Sequence, residues 1–565
     1  MKIIITLITL LFAFGIMLTA QIAPDKYYVQ FTDKNNSPYS INQPDVFLSQ
    51  RALDRRAKYD IALSEEDLPV NPQYLQGVTD LGVQILNPTK WMNGVTVFCD
   101  NPAIMDLVLD LPYVQSTVKL PDNHDGGKVK SFFANESVVR APDMGSTSFK
   151  STRSMDYGGA GPQINQIDGI VLHDMGYQGQ GMVIAVLDAG YEGADVHPFF
   201  DSLRMNNRLL GTRDFVHPGT NNVYNENSHG KSVLSIMAAF APGQMIGTAP
   251  RASYWLLRSE NSDVYAPPLT ENVIEEYNWV SAAEFADSVG ADVINSSLGY
   301  ITFDDTTFNH TYEDMDGMTN VITRGADKAA EKGIMVVNSA GNSGGYPFPY
   351  IGAPADGFNV FTIGAVDPDG LRASFSSIGP TYDGRHKPTI AATGQHTFIA
   401  SGSNGAGYGE GTSFSSPVIA GMTTCLMQAY PEMTVAEVQD ALKQSGNQAS
   451  NPDDSLGWGI PDYGTAYGLL LDIAGHPDQG KTLVTAGPNP CKDQLTLKLT
   501  LDSIEQVVVK LINTSGDVMF SGNYTRSRAD NKINLNQQIS NLTSGIYFVR
   551  VVTPTRTGVV KIFRE

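Results

Sequence analysis

The pattern of apolar and polar positions divides the chain into four stretches. Residues 3 to 18 are nearly all apolar. From Lys26 the pattern is mixed. Lys26-Tyr27-Tyr28-Val29-Gln30-Phe31 and Gly94-Val95-Thr96-Val97-Phe98 read as strands, and Leu107-Val108-Leu109 is a short apolar run. Pro44 to Tyr59, with Phe47, Leu48, Ala52 and Leu53, reads as a helix. From about 165 to 470, short unbroken apolar runs alternate with helical spacings. Strands are predicted at 182–187, 253–257, 292–297, 334–339 and 360–365, and helices at 229–239, 280–289, 319–332, 413–430 and 434–445. An unbroken run such as Met182 to Leu187 marks a strand covered on both faces. The alternation therefore predicts an α/β domain, a parallel sheet with helices on both faces. Trp255 and Trp458 are assigned to its core, and the polar stretch Asn309 to Gly317 to a surface loop. After residue 470 the period becomes two. Leu495, Leu497, Leu499 and Leu501 alternate strictly, followed by Val507 to Ile512, a Ser515-Gly516 turn, Val518 to Phe520 and Ile546 to Val552. This predicts a β-sandwich of roughly 80 residues.

The division expected is 1–20, 21–150, 151–470 and 485–565. Residues 127–165, with little periodicity, read as a linker in which Lys150 and Arg153 are candidate processing points. Gly475 to Gly480 reads as a second linker. At 565 residues the chain is long enough for several domains. Its formal charge of −21 argues against nucleic-acid binding and suits a secreted protein. Lys2, the apolar run and Leu18-Thr19-Ala20 form a signal-peptide pattern, too short for a full membrane span. No later stretch is apolar enough to cross a bilayer. Cys99, Cys425 and Cys491 fall in three regions and make no disulfide framework. Cys425 is expected in the core. Neither CxxC nor HExxH occurs, so no zinc is implied.

The candidate chemistry centres on Gly411-Thr412-Ser413-Phe414-Ser415-Ser416-Pro417, which runs into the apolar segment Val418 to Met422. Ser413 then starts a buried helix, where free N–H groups and the dipole favour an oxyanion. Pro417 is placed in the first turn, where its missing N–H costs nothing. By itself the stretch reads equally well as an ordinary N-cap. Two further stretches decide between them. The run Met182 to Leu187 ends in Asp188-Ala189-Gly190, a carboxylate at the strand edge where open α/β sheets gather ligands. Asn227-Ser228-His229-Gly230 opens a helix with one apolar face. Asp188, His229 and Ser413 follow the triad order of one serine-protease class. The other histidines have no such neighbours, and His197 is read as support for its loop.

These blocks, with Asn338-Ser339-Ala340-Gly341-Asn342-Ser343-Gly344, resemble the subtilisin-like serine proteases over roughly residues 165–467. The resemblance implies a subtilisin-like fold and a secreted serine endopeptidase acting on peptides or proteins. It implies Asp188, His229 and Ser413 as the triad and Asn342 as an oxyanion donor. Ser297, Leu298 and Gly299 would line the substrate edge, with Gly352 near the floor of the specificity pocket. It also implies that residues 21–150 are an α+β propeptide, the alternative being a permanent accessory domain. Two departures stand out: Lys231 replaces the usual Thr after His-Gly, and Phe414-Ser415 the usual Met-Ala. Lys231 is expected to turn to solvent or to perturb the base. No organic cofactor and no metal site is assigned. Calcium is common in the family, and Asp195, Asp201 and Asp214 are available without forming a recognisable loop. The tail, with Gly487-Pro488-Asn489-Pro490, Gly545-Ile546-Tyr547 and Lys561, resembles the sorting domain of type IX secretion. That implies the type IX machinery as a partner and a secreted or cell-surface location, the alternative being a carbohydrate- or surface-binding sandwich. The competing reading is an inactive, subtilase-shaped binding protein.

Overall fold

The computed structural model describes residues 25–120, 136–140, 155–261, 271–474, 484–501, 504–513, 518–553 and 557–564. The signal-peptide stretch, Lys150, Arg153, Gly475 to Gly480 and the Ser515-Gly516 turn lie outside them.

The first body holds β1 (Lys26–Phe31), α1 (Gln50–Lys58), α2 (Pro72–Asp80), β2 (Gln84–Thr89), β3 (Gly94–Phe98), α3 (Pro102–Leu109) and β4 (Val114–Lys119). Its sheet has the order β2-β3-β1-β4. Alternate residues leave by opposite faces of a strand. Tyr27, Val29, Phe31, Val95 and Val97 therefore pack with Val78 of α2 and Met105 and Val108 of α3. The predicted helix from Pro44 breaks: a 3-10 turn at Pro44–Val46 ends before Ser49, whose side chain caps α1. The run at Leu107 belongs to α3.

β5 (Ser137–Arg140) follows and joins, as an edge strand, a three-stranded sheet of the second body. The second body then holds α4 (Gly161–Asn165), α5 (Ile170–Asp174), β6 (Val183–Asp188), α6 (Asp201–Met205), β7 (Leu209–Asp214), α7 (His229–Ala238), a ribbon of β8 (Phe240–Ala241) and β9 (Met245–Ile246), β10 (Ser253–Arg258), α8 (Ile274–Val289), β11 (Val293–Ser296), α9 (Val321–Glu331), β12 (Met335–Ser339), β13 (Phe361–Val366), β14 (Ile390–Thr393), the hairpin β15 (Thr397–Ser401) and β16 (Gly405–Glu410), α10 (Thr412–Ala429), α11 (Val435–Ser445) and α12 (Tyr463–Ala474). Seven parallel strands have the order β14-β13-β12-β11-β6-β10-β7. Strand alternation serves both faces. Ile184, Val186, Val293, Met335 and Val337 pack with α7 and α10. Val183, Ala185, Leu187, Ile294 and Val336 pack with α8 and α9.

Four expectations change. The linker expected to run to 165 ends earlier, because Tyr157, Ala160 and Ile164 are core residues. Strands β7 and β14 and helix α12 were not anticipated. β7 is an edge strand with one buried residue, and β14 is only four residues long. Trp255 and Trp458 are only partly buried, whereas Trp279 is fully buried and donates to Ser296 Oγ at 2.9 Å. Pro417 lies in the second turn of α10, not its first.

The third body holds β17 (Val484–Gly487), β18 (Thr496–Leu499), β19 (Glu505–Asn513), β20 (Val518–Arg526), β21 (Lys532–Asn534), α13 (Asn536–Ser540), β22 (Gly545–Val552) and β23 (Thr557–Arg564). Its sheets, β17-β18-β21 and β20-β19-β22-β23, enclose Leu495, Leu497, Leu499, Leu501, Val507, Val509 and Val551.

Candidate functional site

The site forms at the C-terminal edge of the central strands. Asp188 ends β6, Ser297 follows β11 and Asn342 follows β12, and these strands are neighbours in the sheet. Helices α7 and α10 pack on one face and bring His229 and Ser413 to that edge. All four residues at the centre are largely or fully buried.

Asp188 Oδ1 lies 2.7 Å from His229 Nδ1 and also accepts from the Ala189 N–H at 2.8 Å. The carboxylate therefore fixes which ring nitrogen points inward. Burial alone would lower the His229 pKa. The carboxylates of Asp188 and Glu136 overcome it and push the imidazole up to about 10. The ring lies 5.8 Å, centroid to centroid, from Phe414, beside Ser413.

Ser413 is the second residue of α10. Pro417 has no N–H, so it cannot serve the Ser413 carbonyl four residues back. Ser297 Oγ replaces that donor at 2.9 Å. In return, the Ser413 hydroxyl donates to the Ser297 carbonyl at 3.3 Å. Asn342 Oδ1 accepts from the Thr412 N–H at 2.8 Å and from Thr412 Oγ1 at 3.0 Å. That fixes the amide orientation and turns Nδ2 into the site, where it donates to Glu136 Oε1 at 3.0 Å.

The structure thus brings Asp188, His229, Ser413, Asn342 and Ser297 together. Leu298 is buried, and its carbonyl accepts from Asn338 Nδ2 at 3.1 Å. Gly352 is closely covered: a Cβ there would meet Ile301 Cγ1 at 2.7 Å and the Tyr300 carbonyl oxygen at 3.0 Å. Lys231 neither turns outward nor faces the base. It is 4% exposed and donates from Nζ to the Gly402 carbonyl at 2.9 Å. His197 Nε2 lies 3.1 Å from the Gly405 carbonyl and its Nδ1 accepts from Phe199 N, a loop-holding role.

The carboxylates considered for calcium do not converge. Asp214 pairs with Arg258 and accepts from the backbone of Val216 and His217. Asp201 pairs with Arg204, and Asp195 is exposed. Among the described residues, Glu260, Glu271 and Glu275 form a buried group with ligand atoms within 4.8 Å of one another. Burial pushes Glu260 up to about 7, while burial and the Glu260 charge push Glu275 well above the carboxylate range.

Comparison with known proteins agrees with this geometry. A model of the subtilase family matches residues 179–459. Subtilisin NAT of Bacillus subtilis subsp. natto is 32% identical over 304 residues, 53% of this chain and 68% of the relative. The chain belongs to the subtilase family. Subtilisin of Bacillus pumilus is 31% identical over 298 residues, covering 52% of this chain and 92% of the relative. Serine protease AprX of Bacillus subtilis (strain 168) is 29% identical over 306 residues, 49% of this chain and 64% of the relative. A Bacteroidota Peptidase S8 propeptide domain matches residues 26–131, and a secretion system C-terminal sorting domain matches 487–565. This subtilase is accordingly a serine endopeptidase with a propeptide and a sorting tail, secreted or held at the cell surface. No helix among its described residues is long and apolar enough to cross a membrane.

Sequence reasoning did not find Glu136, which sits in linker-like composition with no motif. Nor did it find the Thr412 clamp on Asn342, although Thr412 belongs to the Gly-Thr-Ser block.

Proposed function

We propose that this subtilase hydrolyses peptide bonds through an acyl-enzyme on Ser413. His229 Nε2 takes the Ser413 proton as Oγ attacks the carbonyl carbon, and then protonates the leaving amine. A water, deprotonated by the same nitrogen, releases the acyl group. Asp188 holds the Nδ1–H tautomer and stabilises the imidazolium. Asn342 Nδ2 and the Ser413 N–H receive the oxyanion. The observation that carries the reading is the 2.7 Å Asp188–His229 pair, set beside Ser413 and an amide already oriented by Thr412. The Ser413 side chain must leave the Ser297 carbonyl and rotate toward Nε2 for the first step.

Ser297, Leu298 and Gly299 form the wall for an extended substrate, and Gly352 lies behind it. The cover of Ile301 over Gly352 favours a pocket shallower than a bare glycine floor would give. Export of this subtilase by the type IX machinery is the partnership that its sorting tail supports. Residues 21–150 act as propeptide, 151–470 as peptidase and 485–565 as the tail. The test is labelling with a serine-directed fluorophosphonate plus a casein assay. Both are expected in the processed enzyme and neither in Ser413→Ala. Labelling that persists in Ser413→Ala would move the nucleophile elsewhere.

A further inference from the structure

Arg258 ends β10, and the register of the sheet sets it level with Asp188 on one side and Asp214 on the other. Alternation sends Val186 and Leu256 to the face packed by α7. Asp188 and Arg258, each two residues further on, therefore share that face with His229. The Arg258 side chain is 1% exposed. Burying a guanidinium is costly unless its N–H groups are met. Here Nε donates to the Ala189 carbonyl at 3.0 Å and Nη2 to Asn261 Oδ1 at 2.7 Å. Nη1 donates to Asp214 Oδ2 at 3.1 Å and to His217 Nδ1 at 2.9 Å. Glu226 Oε2 stands 3.8 Å from Nη2.

These acceptors tie the loop after Asp188 and the loop before His229 to the sheet. Ala189 is held from both ends, its N–H by Asp188 Oδ1 at 2.8 Å and its carbonyl by Arg258. The two loops lie backbone to backbone. The Glu192 N–H donates to the Glu226 carbonyl at 3.0 Å, and the Gly230 N–H to the Gly190 carbonyl at 2.9 Å. Asn227 Oδ1 accepts from the His229 N–H at 2.9 Å. A Cβ on Gly190 would come within 2.8 Å of the Asn227 carbonyl oxygen, so the loops cannot be spread without loss of this fit. Arg258 anchors the joined pair to β7 through Asp214 and to the segment after β10 through Asn261. Asp188 is a cross-strand neighbour of opposite charge, yet the guanidinium bonds to Asp214 and to the Ala189 carbonyl. A guanidinium bonded to Asp188 would compete with the imidazole for the carboxylate.

We propose that Arg258 is a positioning residue for the triad. Its planar fork fixes the Asp188–Ala189 turn, and with it the loop that delivers His229, at the separation that proton transfer from Ser413 needs. It does so without touching substrate. The proposal goes beyond the roles given above to Asp188, His229 and Ser413, and rests on them. Lysine cannot take its place. An ammonium on a flexible stem keeps the charge, but it lacks the fork that reaches Ala189, Asp214 and Asn261 together.

The test compares two variants with wild type, each expressed as the full chain and purified after processing, with folding checked by thermal melting. Arg258→Lys keeps the charge and loses the fork. Arg258→Met combined with Asp214→Asn removes both charges, so no buried ion is left unpaired. Steady-state kinetics on a peptide substrate should show kcat lower by about tenfold to a hundredfold in both, the loss that about an ångström of misplacement brings. KM should stay within about twofold, because no contact with bound substrate is lost. The acid limb of kcat/KM against pH should stay in place in Arg258→Lys, whose charge is unchanged. Wild-type kcat in folded Arg258→Lys would overturn the role of the fork. A raised KM at unchanged kcat would place Arg258 in substrate binding and overturn the proposal. Wild type that labels with fluorophosphonate no faster than Ser413→Ala would overturn the nucleophile itself, and the positioning role with it.

Discussion

At the scale of single residues the site depends on orientation. Thr412 uses both its N–H and its hydroxyl on Asn342 Oδ1, so the amide cannot flip. Asn342→Leu should fold and lose about 10²–10³ in kcat, the magnitude that one oxyanion donor carries in subtilisin. Steady-state kinetics on a peptide substrate would reveal this, and an unchanged kcat would remove Asn342 from the chemistry. His229 titrates upward, to about 10, because two carboxylates face it. For a base whose folded pKa is raised, the stabilising charge pair is complete below the ordinary histidine value of about 6.5. It is lost as pH rises through about 10. With Glu136 facing it, the imidazole is therefore protonated at neutral pH. Ring NMR signals of His229 should titrate near that value in wild type and at lower pH in Glu136→Gln. The blocks around Asp188, His229 and Ser413 made these residues legible in the sequence. Glu136 was not legible, because only a fold brings residue 136 against residue 229.

At the scale of elements, α10 contains a compensated irregularity and α8 a buried set of paired charges. Pro417 strips the Ser413 carbonyl of its helical donor, and Ser297 replaces it from the neighbouring β11 loop. Ser297→Ala should cost about 1 kcal/mol, the usual worth of one neutral hydrogen bond. Adding Pro417→Ala restores an N–H at that place in the helix and should recover part of the loss in Tm. A double mutant no more stable than Ser297→Ala would refute the compensation. Helix α8 carries the propeptide body. Glu284 accepts from the Lys90 and Trp91 N–H groups, and buried Asp287 pairs with Arg55, Arg56 and Lys90. The three cations hold the Asp287 carboxyl well below the usual carboxylate range, against the upward push of burial. Removing one member of such a buried set leaves the others uncompensated. Asp287→Ala should weaken attachment of the propeptide body by about 3–5 kcal/mol. Titration of the separated propeptide body against the enzyme's activity measures it, and an unchanged affinity would show that the apolar contacts suffice.

At the scale of the whole molecule, the sorting tail meets the peptidase through a small contact. Val171 packs with Ile512 and Phe548, and Arg550 donates to the Asp174 carbonyl. None of the residues in this contact bonds to Asp188, His229, Ser413 or Asn342. Deleting residues 487–565 should therefore leave peptidase activity of the purified enzyme within about twofold, given that distant sites act nearly independently. The same deletion should keep the enzyme from the culture medium. Fractionation of cells and medium tests both halves, and normal release of the truncated form would refute the sorting role.

One set of features is written in local pattern. Apolar runs gave the central strands within one or two residues, because a strand buried on both faces is mostly apolar. Strict alternation of Leu495 to Leu501 gave the sandwich, because one face of each strand meets a core. Short or edge elements such as β7 and β14 carried too little pattern to be read. Tertiary structure alone decided the rest. It buried Lys231 against a carbonyl, moved Pro417 into a position that needs Ser297, and set Glu136 on His229 and Asn342. Each of these depends on a partner between about 90 and 210 residues away in the chain, and local periodicity carries no information about so distant a neighbour.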